Sequence, residues 1–126
     1  MNKHKLIQGL HNLAEELKPF TQEVRTGSRV WNGTAYVQTA PRQADPYALM
    51  WWGMLTTIAE LLEAQESPPS EEQVALLRQK LFGGMGSFSD YCIDATRFGD
   101  AATSANQRLS EKRTALFRMF ASNNPA

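Results

Sequence analysis

The sequence contains little that could form a reactive or metal-binding centre. Among 126 residues there is one cysteine, Cys92, and there are two histidines, His4 and His11. A single thiol cannot form an internal disulfide, which is typical of a reducing compartment. Two histidines seven residues apart and one cysteine do not have the spacing of a zinc site. We therefore expect no disulfide, no metal and no cofactor.

An excess of basic residues and a long hydrophobic run are also missing. The 13 basic and 13 acidic residues balance, whereas a dedicated nucleic-acid-binding domain usually has a basic excess. The most apolar stretch, 47–62, is interrupted by Gly, Thr and Glu and falls short of the roughly 18 to 20 apolar residues of a membrane span. Residues 1–17 lack the apolar centre of a signal peptide. We expect a cytoplasmic protein with no nucleic-acid or membrane partner.

Apolar residues recur every three or four positions over much of the chain, which predicts amphipathic helices. The first helix has Asn2 as its N-cap and ends or kinks at Pro19, which lacks a backbone donor. The second begins at Asp45-Pro46, a capping carboxylate followed by proline at the first helical position. Ser70 and Gln73 form a capping box for a third helix.

The last part of the chain predicts further helices. Ser87 and Asp90 repeat the capping arrangement and are expected to start a fourth helix. Gly99 interrupts the pattern before a final long helix over 101–121. We expect the tail, 122–126, to fray.

Residues 26–44 do not follow the helical period. Asn32-Gly33, flanked by β-forming residues, is the strongest short hairpin signal in the chain. We therefore expect a short hairpin or an irregular excursion between the first two long helices. The whole sequence predicts a single helical domain over 1–126, which is an all-α antiparallel bundle of four or five helices.

The most unusual stretch is Gly83-Gly84-Met85-Gly86-Ser87-Phe88-Ser89-Asp90. Three glycines in four positions are costly unless the backbone needs positive φ or a close approach. Three interpretations stay open. The stretch connects two helices, with Gly83 or Gly84 as a left-handed cap; its amides bind a small anionic ligand over Gly83 to Ser87; or it packs against a partner. An anion loop of the known kinds usually follows a strand or carries a lysine, and neither is present here.

The stretch Leu81–Asp90 resembles the signature of small bacterial helical domains of unknown function. In that signature, a Gly-Gly-Met-Gly-Ser core precedes an apolar residue, a small polar residue and Asp. The resemblance covers residues 46–120, is specific only in these ten residues, and departs from the pattern at Ser89, where Asn is more usual. Such short domains are similar to immunity proteins that bacteria encode beside secreted toxins. The resemblance implies a bacterial protein that binds and neutralises a cognate toxin, with a structural motif or second contact at Gly84, Met85, Gly86, Ser87 and Asp90.

Charge and aromatic residues indicate where a partner would bind. Residues 43–77 contain six acidic and no basic side chains. Such a run is either a solvated face or a surface complementary to a basic partner, such as the cleft of a toxin that acts on nucleic acid. Aromatic residues in the excursion are candidate interface anchors. The predicted partner-binding residues are Trp31, Tyr36, Glu60, Glu63, Glu66, Glu71 and Glu72.

Trp51 and Trp52 are adjacent in the second helix. Neighbouring helical side chains point about 100° apart, so both tryptophans are seldom fully buried. We expect Trp52 in the core and Trp51 beneath residues 26–44, with an exposed Trp51 anchor as the alternative.

A thiol enzyme is a further alternative. Cys92 lies near the predicted start of the fourth helix, where a thiolate is favoured, and His4 or His11 would have to act as its base. No oxyanion motif accompanies this cysteine, and free cysteines are commonly buried. We predict a binding protein that is not an enzyme.

Overall fold

The computed structural model describes residues 1–23, 29–31, 33–38 and 44–122. Within them the chain forms an all-α bundle whose helices are α1 (Lys3–Leu17), α2 (Pro46–Ala64), α3 (Glu71–Phe82) and α4 (Ala95–Ser122). Strands β1 (Arg29–Trp31) and β2 (Tyr36–Gln38) follow α1 and precede α2 in the chain, and they pair with each other antiparallel. The predicted helical bundle with a short hairpin is confirmed.

The helices begin where local side chains can accept their free N–H groups. The Asn2 side chain accepts a hydrogen bond of 3.1 Å from the N–H of Lys5. Ser70 and Gln73 form the reciprocal bonds of a capping box, at 3.1 Å and 2.9 Å. These bonds satisfy donors that have no partner within the helix. Both predicted helix starts are confirmed.

Two sets of contacts show that α1 runs antiparallel to α2. Near the start of α1, the Lys3 ammonium donates to the carbonyl of Gln65, which follows α2. At the other end, the Asp45 N–H donates to the carbonyl of Phe20 at 2.8 Å. Phe20 ends the 3₁₀ turn Lys18–Phe20, which contains the proline that stops α1.

The α1 and α4 helices are also antiparallel and lie close together. A Cβ on Gly9 would come within 2.9 Å of Leu116 Cδ1, so the absence of a side chain at Gly9 permits the close approach. Nearer the end of α1, Glu16 forms ion pairs with Arg108 and Lys112, both at 2.8 Å. The core contains side chains from all four helices and from the segment between α3 and α4. Its largest fully buried side chains are Leu6, Leu10, Leu13, Leu17, Leu55, Leu81, Phe88, Ile93, Leu109, Leu116 and Phe120.

The α3 helix packs on α4 and on a second 3₁₀ turn, Phe88–Asp90. Its Phe82 ring makes edge contacts with Phe117 and Phe120 of α4, at centroid distances of 5.3 Å and 5.8 Å. In the part of the chain that the structure describes, none of the helices has the length and apolarity that would be needed to cross a membrane.

The prediction of a fourth helix beginning at Ser87 was wrong, because only the short turn Phe88–Asp90 forms there. The chain then runs on without regular structure to α4. Within α4, Gly99 has φ 64° and ψ −145°, so the predicted break is confirmed as a kink. The tail beyond Ser122, and residues 24–28, 32 and 39–43 in and just before the excursion, lie outside the described residues.

Candidate functional site

The glycine loop, which we define as Gly83–Asp90, has backbone geometry that requires its glycines. Gly84 and Gly86 have φ of 99° and 83°, a region that side chains with a Cβ rarely adopt. Gly83 has an ordinary φ of −80°, but a Cβ there would lie 2.2 Å from the carbonyl oxygen of Gln79. A steric reason for glycine therefore exists at each of the three positions.

The polar groups of the glycine loop bond to one another. The hydroxyl and the N–H of Ser87 both donate to the carbonyl of Gly84, at 2.6 Å and 3.0 Å. The Asp90 carboxylate accepts from the N–H of Gly86 at 3.3 Å. The expected capping box between Ser87 and Asp90 is not formed, because each side chain reaches back into the loop. The geometry is that of a connection between α3 and the following turn.

Phe88 anchors the glycine loop in the core. Its side chain is fully buried, and its ring packs against Trp51 with a centroid distance of 5.1 Å. The Arg113 guanidinium lies over the same ring at 4.3 Å and donates to the carbonyl of Tyr91. Burial lowers the pKa of Arg113, but a guanidinium stays charged at ordinary pH. A cation over a partly desolvated aromatic ring is stabilising.

Trp51 is the more buried of the adjacent tryptophans, at 7% exposure, and Trp52 is only partly buried against the core. The expected order was therefore wrong. Trp51 lies four residues before Leu55 and so shares its buried side of α2. Trp51 packs beneath the glycine loop through Phe88.

The glycine loop exposes one large apolar side chain. Met85 lies between the two positive-φ glycines and is 99% exposed. It lines a shallow cleft together with Met50 and Met54 of α2. Methionine side chains are flexible and polarisable, and are common at adaptable binding surfaces.

The hairpin presents an aromatic pair. Trp31 and Tyr36 lie directly opposite each other on β1 and β2, with ring centroids 5.1 Å apart in an edge-to-face arrangement. Their side chains are 55% and 65% exposed. Between the two strands, Gly33 has φ 99°. The structure thus brings these two predicted partner-binding residues together at the surface.

The predicted acidic residues lie in the last part of α2, in the connection that follows it and in the first turn of α3. All are exposed, and we name them the acidic edge: Glu60, Glu63, Glu66, Glu71 and Glu72. Within the described ranges, the ion pairs formed are those of Glu16 with α4, so no carboxylate of the acidic edge is paired there. An unpaired acidic surface attracts a basic partner over about a Debye length.

The residues of the thiol-enzyme alternative are not assembled together. His4 and His11 line a cleft between α1 and Glu63, whereas Cys92 is exposed in the segment before α4. Within the described residues, no hydrogen bond links this thiol to either imidazole. The same residues contain no group of three His, Cys, Asp or Glu side chains that could hold a metal ion.

A groove between α2 and α3 was not predicted from the sequence. We name it the α2–α3 groove; it has a volume of about 190 Å³ and a floor formed in part by Leu6, Leu62 and Leu77. Leu61 on one rim and Leu76 on the other are 64% and 60% exposed. Each of these leucines stands directly before a buried leucine of the same helix, Leu62 or Leu77, and these adjacent leucines were the signal available in the sequence.

In comparisons with known proteins, no family model, no curated protein and no solved structure matches this chain.

Proposed function

We propose that this protein acts by binding another protein stoichiometrically, and that the partner is a secreted bacterial toxin which it neutralises in the cytoplasm without catalysis. The observation that carries the binding proposal is the Trp31–Tyr36 pair. Two large aromatic side chains are packed together yet more than half exposed. Aromatic residues of this kind dominate the binding energy of protein interfaces.

The strand pairing makes this aromatic pair suited to binding. Trp31 and Tyr36 lie opposite each other across the hairpin, so each ring restricts the other. Side chains that are ordered before association lose less conformational entropy when a partner covers them. The pair can therefore act as a preorganised anchor.

The acidic edge supports a basic partner. Its five exposed carboxylates have no ion pair within the described part of the chain. Toxins that cleave or bind nucleic acid carry basic clefts, and complementary charge raises the rate of association with such a surface. The toxin assignment itself rests on the resemblance of Leu81–Asp90 to immunity-like domains. Gly84, Met85, Gly86, Ser87 and Asp90 would shape the scaffold and offer Met85 as a second contact.

The proposal predicts that a secreted toxin is encoded beside this gene, and the test uses the product of that neighbouring gene. The full-length protein is mixed with the purified toxin, and complex formation and residual toxin activity are measured at increasing molar ratio. We expect inhibition to be complete at equal amounts. A double substitution, Trp31→Ala with Tyr36→Ala, should weaken binding by roughly 30-fold or more, as for an interface hot spot.

Tyr47→Ala is the matched control, because Tyr47 is also a largely exposed aromatic residue, at 63%, but belongs to the first turn of α2 and not to the hairpin. Its affinity should stay within about threefold of the original value. Equal losses in the control and in the double variant, or no inhibition of the toxin at any ratio, would contradict the proposal.

A second variant tests the acidic edge. Glu60→Lys with Glu63→Lys lies in the C-terminal half of α2, where cations suit the helix dipole, so the fold should persist. We expect slower association with little change in the dissociation rate, and a difference that shrinks at high salt. A salt-independent effect on dissociation alone would argue against charge attraction at this edge.

A further inference from the structure

We infer that the α2–α3 groove binds an amphipathic segment of the partner protein, with an apolar face and with basic residues over the acidic edge. This inference rests on the proposed function, because the segment is taken to belong to the same partner. It adds a second contact surface to the hairpin and states the chemistry of the segment that fills it.

The groove is lined mainly by apolar side chains, with Gln73 and Lys80 as its polar members. Leu6, Leu62 and Leu77 on the floor are at most 5% exposed, so the groove lies directly over the core. Leu61 on α2 and Leu76 on α3 stand on opposite rims and remain mostly exposed. A segment lying between these two rims would cover both leucines at once and remove their apolar surface from water.

Two helices with an apolar channel between them favour a helical occupant. In the helix-in-groove mode of recognition, anchors at positions i, i+3, i+4 and i+7 enter a channel of this kind. The floor residues come from three different helices, α1, α2 and α3. Packing within the bundle therefore holds the channel open before a partner arrives.

The charges around the groove determine the character of the segment. Glu63 and Glu66 lie at and just beyond the end of α2, and Glu71 and Glu72 lie in the first turn of α3. The last two also offset the positive end of the α3 dipole, whereas Glu63 and Glu66 have no such role. These charges favour basic residues over this end of the groove.

Two cations lie near the same groove. Lys3 reaches this end, where its ammonium donates to the carbonyls of Gln65 and Ser67 and, among the described residues, forms no ion pair with the acidic edge. Lys80 lines the groove farther along α3, towards the glycine loop. A complementary segment would therefore be basic at one end and uncharged or acidic where it passes Lys80.

A second copy of the chain fits the groove less well. The basic helix α4 carries Arg108, Lys112, Arg113 and Arg118, which would suit the acidic edge. Its apolar side chains Leu109, Leu116 and Phe120 are, however, buried in the core of its own bundle. Docking of α4 into a neighbour would require the donor bundle to open.

The experiment uses the full-length protein and a synthetic helical peptide as the probe. The probe has leucines at i, i+3, i+4 and i+7 and lysines on its other face. A control peptide keeps the leucines and carries glutamates in place of the lysines. Titration calorimetry should give saturable binding of the lysine peptide, with at least tenfold weaker binding of the glutamate peptide.

The matched variants remove apolar surface without changing charge. Leu61→Gln with Leu76→Gln should weaken binding of the lysine peptide at least tenfold, and the exposure of both leucines makes loss of the fold unexpected. Leu49→Gln is the control, since Leu49 is 48% exposed on α2 and lies about 120° around the helix from Leu61. It should bind the peptide as the original protein does. Circular dichroism checks that all variants keep their helices.

Three outcomes would overturn the inference. The first is equal affinity of the original protein for the lysine and glutamate peptides. The second is equal affinity of the double glutamine variant and the original protein for the lysine peptide. The third is a dimer of the original protein in analytical ultracentrifugation that the double glutamine variant does not form. The last would show that a second copy occupies the groove. If the lysine peptide does not bind at the groove but toxin binding still depends on Trp31 and Tyr36, only the groove assignment is overturned. Peptide binding at the groove without any toxin inhibition would instead overturn the proposed function.

Discussion

The hydroxyl of Tyr91 donates a hydrogen bond of 2.9 Å to Oδ2 of Asp45. The other carboxylate oxygen, Oδ1, accepts from the N–H of Tyr47 at 3.0 Å and so caps α2. Asp45 is only 4% exposed, and a buried carboxylate is stable only when its oxygens are paired. One side chain thus joins the start of α2 to the segment that precedes α4.

Tyr91→Phe removes the donor to Oδ2 of Asp45 and leaves this oxygen buried without that partner. We expect a loss of roughly 1 to 3 kcal/mol in the free energy of unfolding, measured by urea denaturation. Tyr47→Phe is the control, because its ring is 63% exposed, and it should change stability by less than about 0.5 kcal/mol. Equal losses in the two variants would show that the Tyr91 hydroxyl has no special role.

The same bond predicts a pH dependence on the alkaline side. Burial raises the pKa of Tyr91 well above its usual value, and the hydrogen bond to the Asp45 carboxylate raises it further. The unfolded chain then loses this proton first, so the stabilising contribution is complete below about pH 10 and is lost as the pH rises above that value. The urea midpoint should fall more steeply above about pH 10 in the original protein than in Tyr91→Phe. Parallel curves would contradict the raised pKa.

Several helix boundaries could be predicted because they depend only on neighbouring residues. Asn2, Asp45 and Ser70 each accept a hydrogen bond from an N–H two or three positions later, so the sequence contains both partners of each bond. Gly99 likewise provides its own break, since glycine readily adopts positive φ.

The remaining errors came from contacts between distant parts of the chain. Ser87 and Asp90 have the residue types of a capping box, but the positive φ of Gly84 and Gly86 turns the chain so that both side chains bond backwards. Phe88 then enters the core against Trp51, 37 positions earlier in the numbering. No local pattern indicates such a contact, and it also explains why Trp51, rather than Trp52, is the buried one.

The candidate site could be predicted only in part, because some of its features depend on local sequence and others on the packing of distant residues. Exposure of the acidic edge follows from residue type. The hairpin signal in the sequence placed Trp31 and Tyr36 outside the helices, although their exposure was not fixed by residue type. The α2–α3 groove depends instead on how far apart two helices lie. That spacing is determined by the way α3 packs on α4 and on the turn at Phe88, which involves residues far from Leu61 and Leu76.

Alanine substitutions in the glycine loop and in α2 should have opposite effects on stability. Gly84→Ala places a Cβ at φ 99° and should lower stability by about 1 to 2 kcal/mol. Gly53→Ala is the comparison, because it lies inside α2 with open space around its Cβ position, and it should raise stability by up to about 1 kcal/mol. Thermal and urea unfolding of both variants provide the measurement. A neutral Gly84→Ala would mean that the loop can adopt another backbone path.

The ion pairs of Glu16 should make the stability of the fold depend on pH in the acid range. Its side chain, only 12% exposed, accepts from Arg108 Nε and Lys112 Nζ of α4 at 2.8 Å each. Burial opposes ionisation of this carboxyl, but the hydrogen bonds from Lys112 and Arg108 outweigh it and hold the pKa of Glu16 below its ordinary value. A lowered pKa in the folded state contributes stability above the unfolded pKa, about 4.3 for glutamate, and this contribution is lost as the pH falls through the folded value.

Glu16→Gln should therefore reduce stability by up to about 1 kcal/mol at neutral pH, the usual range for partly exposed ion pairs. The difference from the original protein should shrink below about pH 4, because the carboxyl becomes neutral in both states. Glu15→Gln is the matched control, because Glu15 is the neighbouring residue and its side chain is exposed. This substitution should change stability by less than about 0.5 kcal/mol. Urea midpoints measured across the acid range decide the question. A deficit in Glu16→Gln that persists undiminished at low pH would show that the shape of the side chain, rather than its charge, links α1 to α4.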